Sequence, residues 1–257
     1  LASSGTAADV PGLSDSLGFF LQWSDAAQTA GTELLFSNSS PNVEKVIEYE
    51  PDLIVVAETG GDSLMDNVDQ LRKIAPVMVV NYSGSSWQDI TTLFGEATGA
   101  EDQAMQAIMQ YEAQLAAVKA SITVPDHPVS AFFPFASGEG AGAATEFSPH
   151  TQILADLGFT LAEIPDEVKG DESMGGAERK DIVNLSAENL QRGLPGETWI
   201  MIAADAAAKD LVNTDPAYTS APAVQAGNVF FTPGETFRLD FFSALILLDS
   251  LAQSFAS

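Results

Sequence analysis

Residues 101–122, EDQAMQAIMQYEAQLAAVKASI, contain neither glycine nor proline and are built mainly from Ala, Gln, Met, Leu and Glu. A run of strong helix formers this long has one regular structure open to it. Met105, Ile108, Met109, Leu115 and Ile122 recur mostly at three- and four-residue spacings and are expected to form the buried stripe of that helix. At 1.5 Å per residue it spans roughly 33 Å, about the width of a small domain. Pro125 and Pro128 end it. The segments on either side share one character, apolar strand-like runs followed by polar loops and short helical patterns. The helix, residues 101–124, is therefore expected to join two α/β lobes, residues 1–100 and 125–257. A cleft between lobes is a natural binding site.

Ahead of the helix, strand and helix patterns alternate. Residues 1–18 have the composition of a loop, with Pro11, Gly12 and Gly18. Residues 19–28 read as a helix that sets Phe19, Phe20 and Trp23 in the core, and 33–36 as a short strand. Pro41 fits the first turn of a helix over 42–49. Residues 53–57 are a continuous apolar run, as expected of a strand buried on both faces. Its C-terminal end meets a polar loop at 58–63, and ligands gather beyond that end of parallel strands. A helix over 64–73, a strand over 77–80 and a helix over 87–99 complete the lobe, a pattern that predicts a parallel sheet with helices on its faces.

Beyond the long helix the reading is a strand at 129–135, a Gly- and Ala-rich loop at 136–144, a helix at 150–157 ended by Gly158, and a strand at 159–164. A long polar loop at 165–177 follows, then a helix at 186–192, strands at 198–203 and 229–232, and a closing helix over 239–255. The halves share one unit, a short helix bearing a glutamate (Glu44, Glu188) that leads through a proline turn into an apolar strand.

Composition narrows the function classes. With 46% hydrophobic residues over 257 positions, the chain can bury a sizeable core. Its net charge of −26 repels nucleic acid phosphates and anionic lipid, and suits a solvated surface or a salty medium. The absence of cysteine removes disulfides and thiolate sites, and two histidines, His127 and His150, do not make a metal centre. No Gly-x-Ser-x-Gly elbow and no phosphate-loop motif occur. Neither a signal segment nor an apolar run of ~18 residues is present, so a mature or trimmed soluble chain is expected, with some sequence originally preceding Leu1. Only ten positive side chains are available to any anionic ligand, and two stand in unusual settings: Arg179 at the end of the long loop, and Arg238 between Phe237 and Leu239. On sequence alone each reads equally well as a structural ion-pair residue.

Thr59-Gly60-Gly61-Asp62-Ser63, Asp69-Gln70-Leu71, Ile74-Ala75-Pro76, Asn81-Tyr82 and Ser86-Trp87-Gln88 carry a resemblance that continues through Leu157-Gly158-Phe159, Arg179-x-Asp181-Ile182, Glu188-Asn189-Leu190 and Glu235-Thr236-Phe237-Arg238-Leu239-Asp240. In these motifs the chain resembles the substrate-binding proteins of iron-siderophore ABC importers, above all those that bind ferric enterobactin. The resemblance implies two Rossmann-like α/β lobes joined by a single long helix, and a non-enzymatic receptor that captures a ferric siderophore of catecholate type and delivers it to a membrane permease. It implies that Glu44 and Glu188 dock on the permease. Arg179 and Arg238 become the charge partners of an anionic cargo, and Tyr82, Trp87 and Phe135 its aromatic walls. No cofactor is implied: ferric iron enters only inside the siderophore. The implied protein is a monomer outside the cytoplasm, in a periplasm or held by a lipid anchor.

Two departures from the family pattern stand out. Nothing positive precedes Lys45, and the family's first strand and helix are expected to be missing from this chain. The same fold with haem, a corrinoid or a ferric hydroxamate is the alternative; an acidic hydrolase or a purely structural surface module would belong to other classes.

Overall fold

The computed structural model describes residues 1–257 except 61, 83–84, 136–138, 170–172, 175–176, 179 and 257. The chain divides into two compact units, one built from Leu1–Ile90 and Gly175–Ala177 and the other from Thr91–Met174 and Glu178–Ser257.

The first unit contains β1 (Ala2–Gly5), α1 (Leu21–Thr29), β2 (Glu33–Ser37), α2 (Val43–Glu48), β3 (Ile54–Ala57), α3 (Val68–Leu71) and β4 (Val77–Val80), and α4 (Trp87–Thr98) begins in it. Strands β1 and β2 pair in parallel, as do β3 and β4. Residues 2–5, expected in a loop, form a strand because the backbone of Ala2 and Ser3 lies in register with Glu33 and Leu34, and ladder pairing overrides weak intrinsic propensity. Phe36, Val46, Val56, Val68 and Leu71 make the core of this unit. Burial of β3 on both faces is not observed: Val56 points inward, whereas Val55 is 42% exposed. On a pleated strand consecutive side chains leave on opposite faces, and here one face alone is covered.

The second unit opens with the rest of α4 and continues through α5 (Glu101–Ser121), β5 (Val129–Pro134), β6 (Gly140–Ala144), α6 (Pro149–Leu157), β7 (Ser173–Met174), β8 (Ala177–Glu178), whose first residue is assigned to the first unit, β9 (Ile182–Ser186), α7 (Leu190–Gly193), β10 (Thr198–Met201), α8 (Ala206–Thr214), α9 (Pro216–Thr219), α10 (Pro222–Gln225), β11 (Val229–Phe231) and α11 (Phe241–Ser254). Among the described residues its main sheet has the order β11-β10-β5-β6-β9. Strands β11, β10 and β5 run parallel, while β6 is antiparallel to both of its neighbours. The sheet is therefore mixed, not purely parallel.

Strand β6 replaces the expected loop over 136–144. Its sequence, GAGAA, has poor strand propensity, yet every residue is buried between β5 and β9. Small residues are what the site requires: a Cβ added at Gly142 would lie 2.9 Å from Ile182 Cγ2 and 3.7 Å from the Phe135 ring. The strand expected at 159–164 is reduced to an isolated bridge, Leu161 to Val129. The helix expected at 186–192 is present as a 3-10 turn at Ala187–Asn189 running into α7, with only Ser186 taken into the end of β9.

The long helix is present, and its predicted stripe is right in part: Ile108, Leu115 and Ile122 are half-buried beside the buried Ala104, Tyr111 and Val118, whereas Met105 and Met109 are 54% and 61% exposed. A seven-residue spacing closes two turns and keeps one face toward α11, against which α5 packs. Gln114 Nε2 reinforces that seam, donating to the Leu245 carbonyl at 3.3 Å and to Asp249 Oδ1 at 2.6 Å.

The core of the second unit is aromatic at its centre. Trp199 packs edge-on against Phe132 and Tyr218, with ring centroids 5.3 and 6.3 Å apart, and all three are almost wholly buried. Trp199 Nε1 donates to the Leu194 carbonyl at 3.0 Å and the Tyr218 hydroxyl to the Gly140 carbonyl at 3.1 Å, so neither ring carries a lost polar group inside.

Candidate functional site

In the first unit the parallel register of β3 and β4, Ala57 opposite Val80, starts their following loops side by side. Glu58 N–H extends the ladder by donating to the Val80 carbonyl at 2.9 Å. The Tyr82 hydroxyl then closes the space between the loops: it lies 2.7 Å from the Thr59 carbonyl and 3.1 Å from Asp62 Oδ1. It has one hydrogen for two acceptors, and the shorter contact takes the larger share. Gly60, at φ +97°, passes beneath the phenol, and a Cβ there would collide with the hydroxyl oxygen. Tyr82 is thus a brace for the 58–63 loop, with its ring half-buried. Trp87, also singled out in the sequence, is the first residue of α4 and is buried.

In the second unit the segment from Pro233 to Asp240 is held at both ends. At the front, a 3-10 turn, Gly234–Thr236, carries the fully buried Thr236. Its hydroxyl lies 2.7 Å from Thr232 Oγ1, which accepts from Ala203 N–H at 3.0 Å, so the turn is tied to the ends of β10 and β11. His150, buried at the second position of α6, approaches from the other side with Nε2 2.7 Å from the Thr236 carbonyl oxygen. A carbonyl can only accept, so the proton is on Nε2; Nδ1 faces Ser148 Oγ at 3.4 Å. Burial pushes the imidazole pKa down from 6.5 to about 4, against the opposing pull of the Thr236 hydrogen bond and the nearby Asp181 charge, so the ring is neutral at ordinary pH.

At the rear, Asp240 caps α11 in a reciprocal box: Ser243 N–H donates to Asp240 Oδ1 at 2.9 Å, and Asp240 N–H donates to Ser243 Oγ at 2.7 Å. Between these anchors stand Phe237, Arg238 and Leu239. Phe237 is 45% exposed, with its ring perpendicular to Phe133 at 6.1 Å, and Phe133 is in turn edge-on to His150 at 5.0 Å. Arg238 is half-buried. Phe135, just past β5, lies over Gly142 and is also half-buried.

Arg238 and Phe135 therefore belong to the second unit, and Tyr82 and Trp87 to the first. Arg179 lies outside the described residues. Glu44 is exposed in the first turn of α2, where Asn42 caps the helix by accepting from Lys45 N–H at 3.2 Å, and Glu188 is exposed in the 3-10 turn before α7. Sequence reasoning missed His150 beyond its place at a helix start. Its partner is 86 positions away, and no local pattern announces such a pairing. Among the described residues no group of three or more His, Cys, Asp or Glu could hold a metal ion, and no helix is long and apolar enough to cross a membrane.

The chain belongs to the periplasmic binding protein family, which it matches over residues 35–236, and its two α/β units with a long helix between their sheets in the chain fit that class. Among its relatives is the ferric enterobactin-binding periplasmic protein FepB of Escherichia coli O6:H1, 40% identical over 243 residues, covering 95% of this chain and 76% of that protein. The iron(3+)-hydroxamate-binding protein YxeB of Bacillus subtilis is 39% identical over a shorter stretch, 82 residues, covering 32% of this chain and 24% of YxeB. Among solved structures, holo-ViuP superposes with a TM-score of 0.86 at 28% identity, covering all of this chain and 82% of that one. The fold class expected from the sequence agrees with these relatives.

Proposed function

We propose that this chain is the substrate-binding component of an ABC importer, that its cargo is a ferric siderophore of catecholate type, and that it delivers this cargo to a membrane permease. The observation that carries the reading is the 40% identity to FepB across 95% of the chain. The geometry of the second unit supports it. A ferric tricatecholate bears three negative charges on an aromatic surface, which a guanidinium beside an exposed phenyl ring suits. Phe237 and Arg238, consecutive in the chain, offer an exposed ring and a guanidinium from a segment anchored at both ends. In this reading Arg179 is a second charge partner, each arginine contributing about 1.5–3 kcal/mol through charge-assisted hydrogen bonds. Tyr82 and Phe135, both half-buried, supply aromatic surface, whereas Trp87, expected as a third wall, is buried in the core, and the protein gives no ligand to the iron, which the siderophore holds. The chain works as a monomer outside the cytoplasm and catalyses no reaction.

The test is titration of the purified protein with ferric enterobactin, followed by quenching of Trp fluorescence. Saturable quenching that is lost in an Arg179→Ala Arg238→Ala double variant is the expected result; full affinity in the double variant would remove the arginines from the site. The similarity to YxeB gives a hydroxamate cargo a specific claim. A thermal-shift panel of ferric catecholate, ferric hydroxamate, haem and a corrinoid separates these, because ligand at ~100 times its dissociation constant adds about 2.7 kcal/mol of stability.

A further inference from the structure

The Thr236 carbonyl is buried and receives its hydrogen bond from a side chain on another element, His150 at the start of α6. Buried carbonyls are held where their donors are, and one deprived of its donor recovers a partner only by moving. Here the carbonyl belongs to the last residue of the 3-10 turn, and the next two residues are Phe237 and Arg238. The imidazole also stands edge-on to Phe133, whose ring meets Phe237 at a right angle, so the same side chain supports the segment by two routes.

We propose that His150 is a positioning residue for cargo recognition: its Nε2–H, donated to the Thr236 carbonyl, sets where Phe237 and Arg238 stand. The proposal rests on the cargo reading given above. His150 itself is buried, out of reach of a cargo. It acts through the turn, and its effect on binding therefore exists only while Arg238 is there to be placed.

A double-mutant cycle tests this. Affinity for the ferric complex of a synthetic tricatechol is measured for wild type, His150→Phe, Arg238→Ala and the double variant, each first confirmed as folded by circular dichroism and a cooperative melt. Phenylalanine keeps the ring against Phe133 and removes the donor; His150→Asn, whose amide is too short to reach Thr236, replaces it if the phenylalanine variant does not fold. The expected result is about tenfold weaker binding in His150→Phe, as for the loss of one aligned contact, and little further loss when the change is made in the Arg238→Ala background. His150→Gln, which carries an N–H at a similar reach, is expected to recover part of the affinity. Equal losses in both backgrounds, or no recovery with glutamine, would overturn the positioning role and leave the cargo reading intact. Absence of saturable binding by the wild-type chain would overturn the cargo reading and this proposal with it.

Discussion

The Tyr82 hydroxyl lies directly over the backbone of Gly60, 2.7 Å from the Thr59 carbonyl, so that a single phenol fixes a glycine-bearing loop to the end of the neighbouring strand. The positive φ of Gly60 and the overlap that any Cβ there would have with the phenol oxygen are two independent reasons for glycine at this position.

Gly60→Ala is accordingly expected to destabilise the first unit by about 1–3 kcal/mol through left-handed strain and overlap with the phenol. Tyr82→Phe removes the hydroxyl and is expected to cost about 1 kcal/mol. Together they should cost less than their sum, because the phenylalanine variant makes room for the alanine methyl. Urea unfolding of the three variants measures this, and strict additivity would contradict the proximity.

Acid sensitivity follows from His150. Its folded-state pKa of about 4 lies below the ordinary 6.5, so as pH falls the unfolded chain takes up the proton first. The stability present above pH 6.5 is therefore lost progressively toward pH 4, by up to roughly 3 kcal/mol. Asp181, the charge facing the ring, reduces the loss by favouring the imidazolium. Stability against pH, measured by urea unfolding, should be flatter over this window in His150→Phe than in wild type.

Strand β6 should resist enlargement. Ala143 is wholly buried, paired with Phe132 on one side and Val183 on the other. Ala143→Val is expected to cost about 1–3 kcal/mol despite the better strand propensity of valine, because an overfilled core displaces its neighbours. A stabilised variant would mean that the packing around β6 is looser than described.

The charge of −26 predicts a salt response. Raising NaCl from about 0.1 M to about 1 M shortens the screening length from ~10 Å to ~3 Å and weakens self-repulsion in the compact state. The melting temperature should climb by several degrees, and a flat response would show that the acids are already balanced locally.

For the proposed permease contacts, Glu44→Lys and Glu188→Lys should leave cargo affinity in solution within about twofold, since exposed substitutions away from a site change little, yet impair uptake when the chain supplies a reconstituted importer. Normal uptake with lost affinity would assign these glutamates elsewhere.

Much of the fold is legible from local pattern. The strands at 54–57, 77–80, 129–134 and 198–201 and the helices α1, α2, α4, α6 and α11 follow runs whose apolar spacing and caps are local properties. Strands β1 and β6 are not legible, because Ala, Ser and Gly become strand only when partners on both sides or in register supply the ladder. The buried stripe of α5 is legible only in part: Ile108, Leu115 and Ile122 fall beside it, but Met105 and Met109, as apolar as core residues, do not, and Ala104 and Tyr111 give a weaker signal; the helix turns toward whichever face α11 meets. Of the site residues, Arg238, Phe135 and Tyr82 can be picked out as residue types in a motif, but nothing local shows that Tyr82 braces a loop or that the Arg238 segment is anchored at both ends.

From the order of residues alone came the class of fold, the long helix and the family, because each is written in short-range periodicity or in continuous motifs. The tertiary structure alone decided which faces are covered, which small residues are strand, and that a histidine 86 positions away holds the turn before Arg238. Such pairings carry no local signature: their energy exists only once the intervening chain has folded and removed water from both partners.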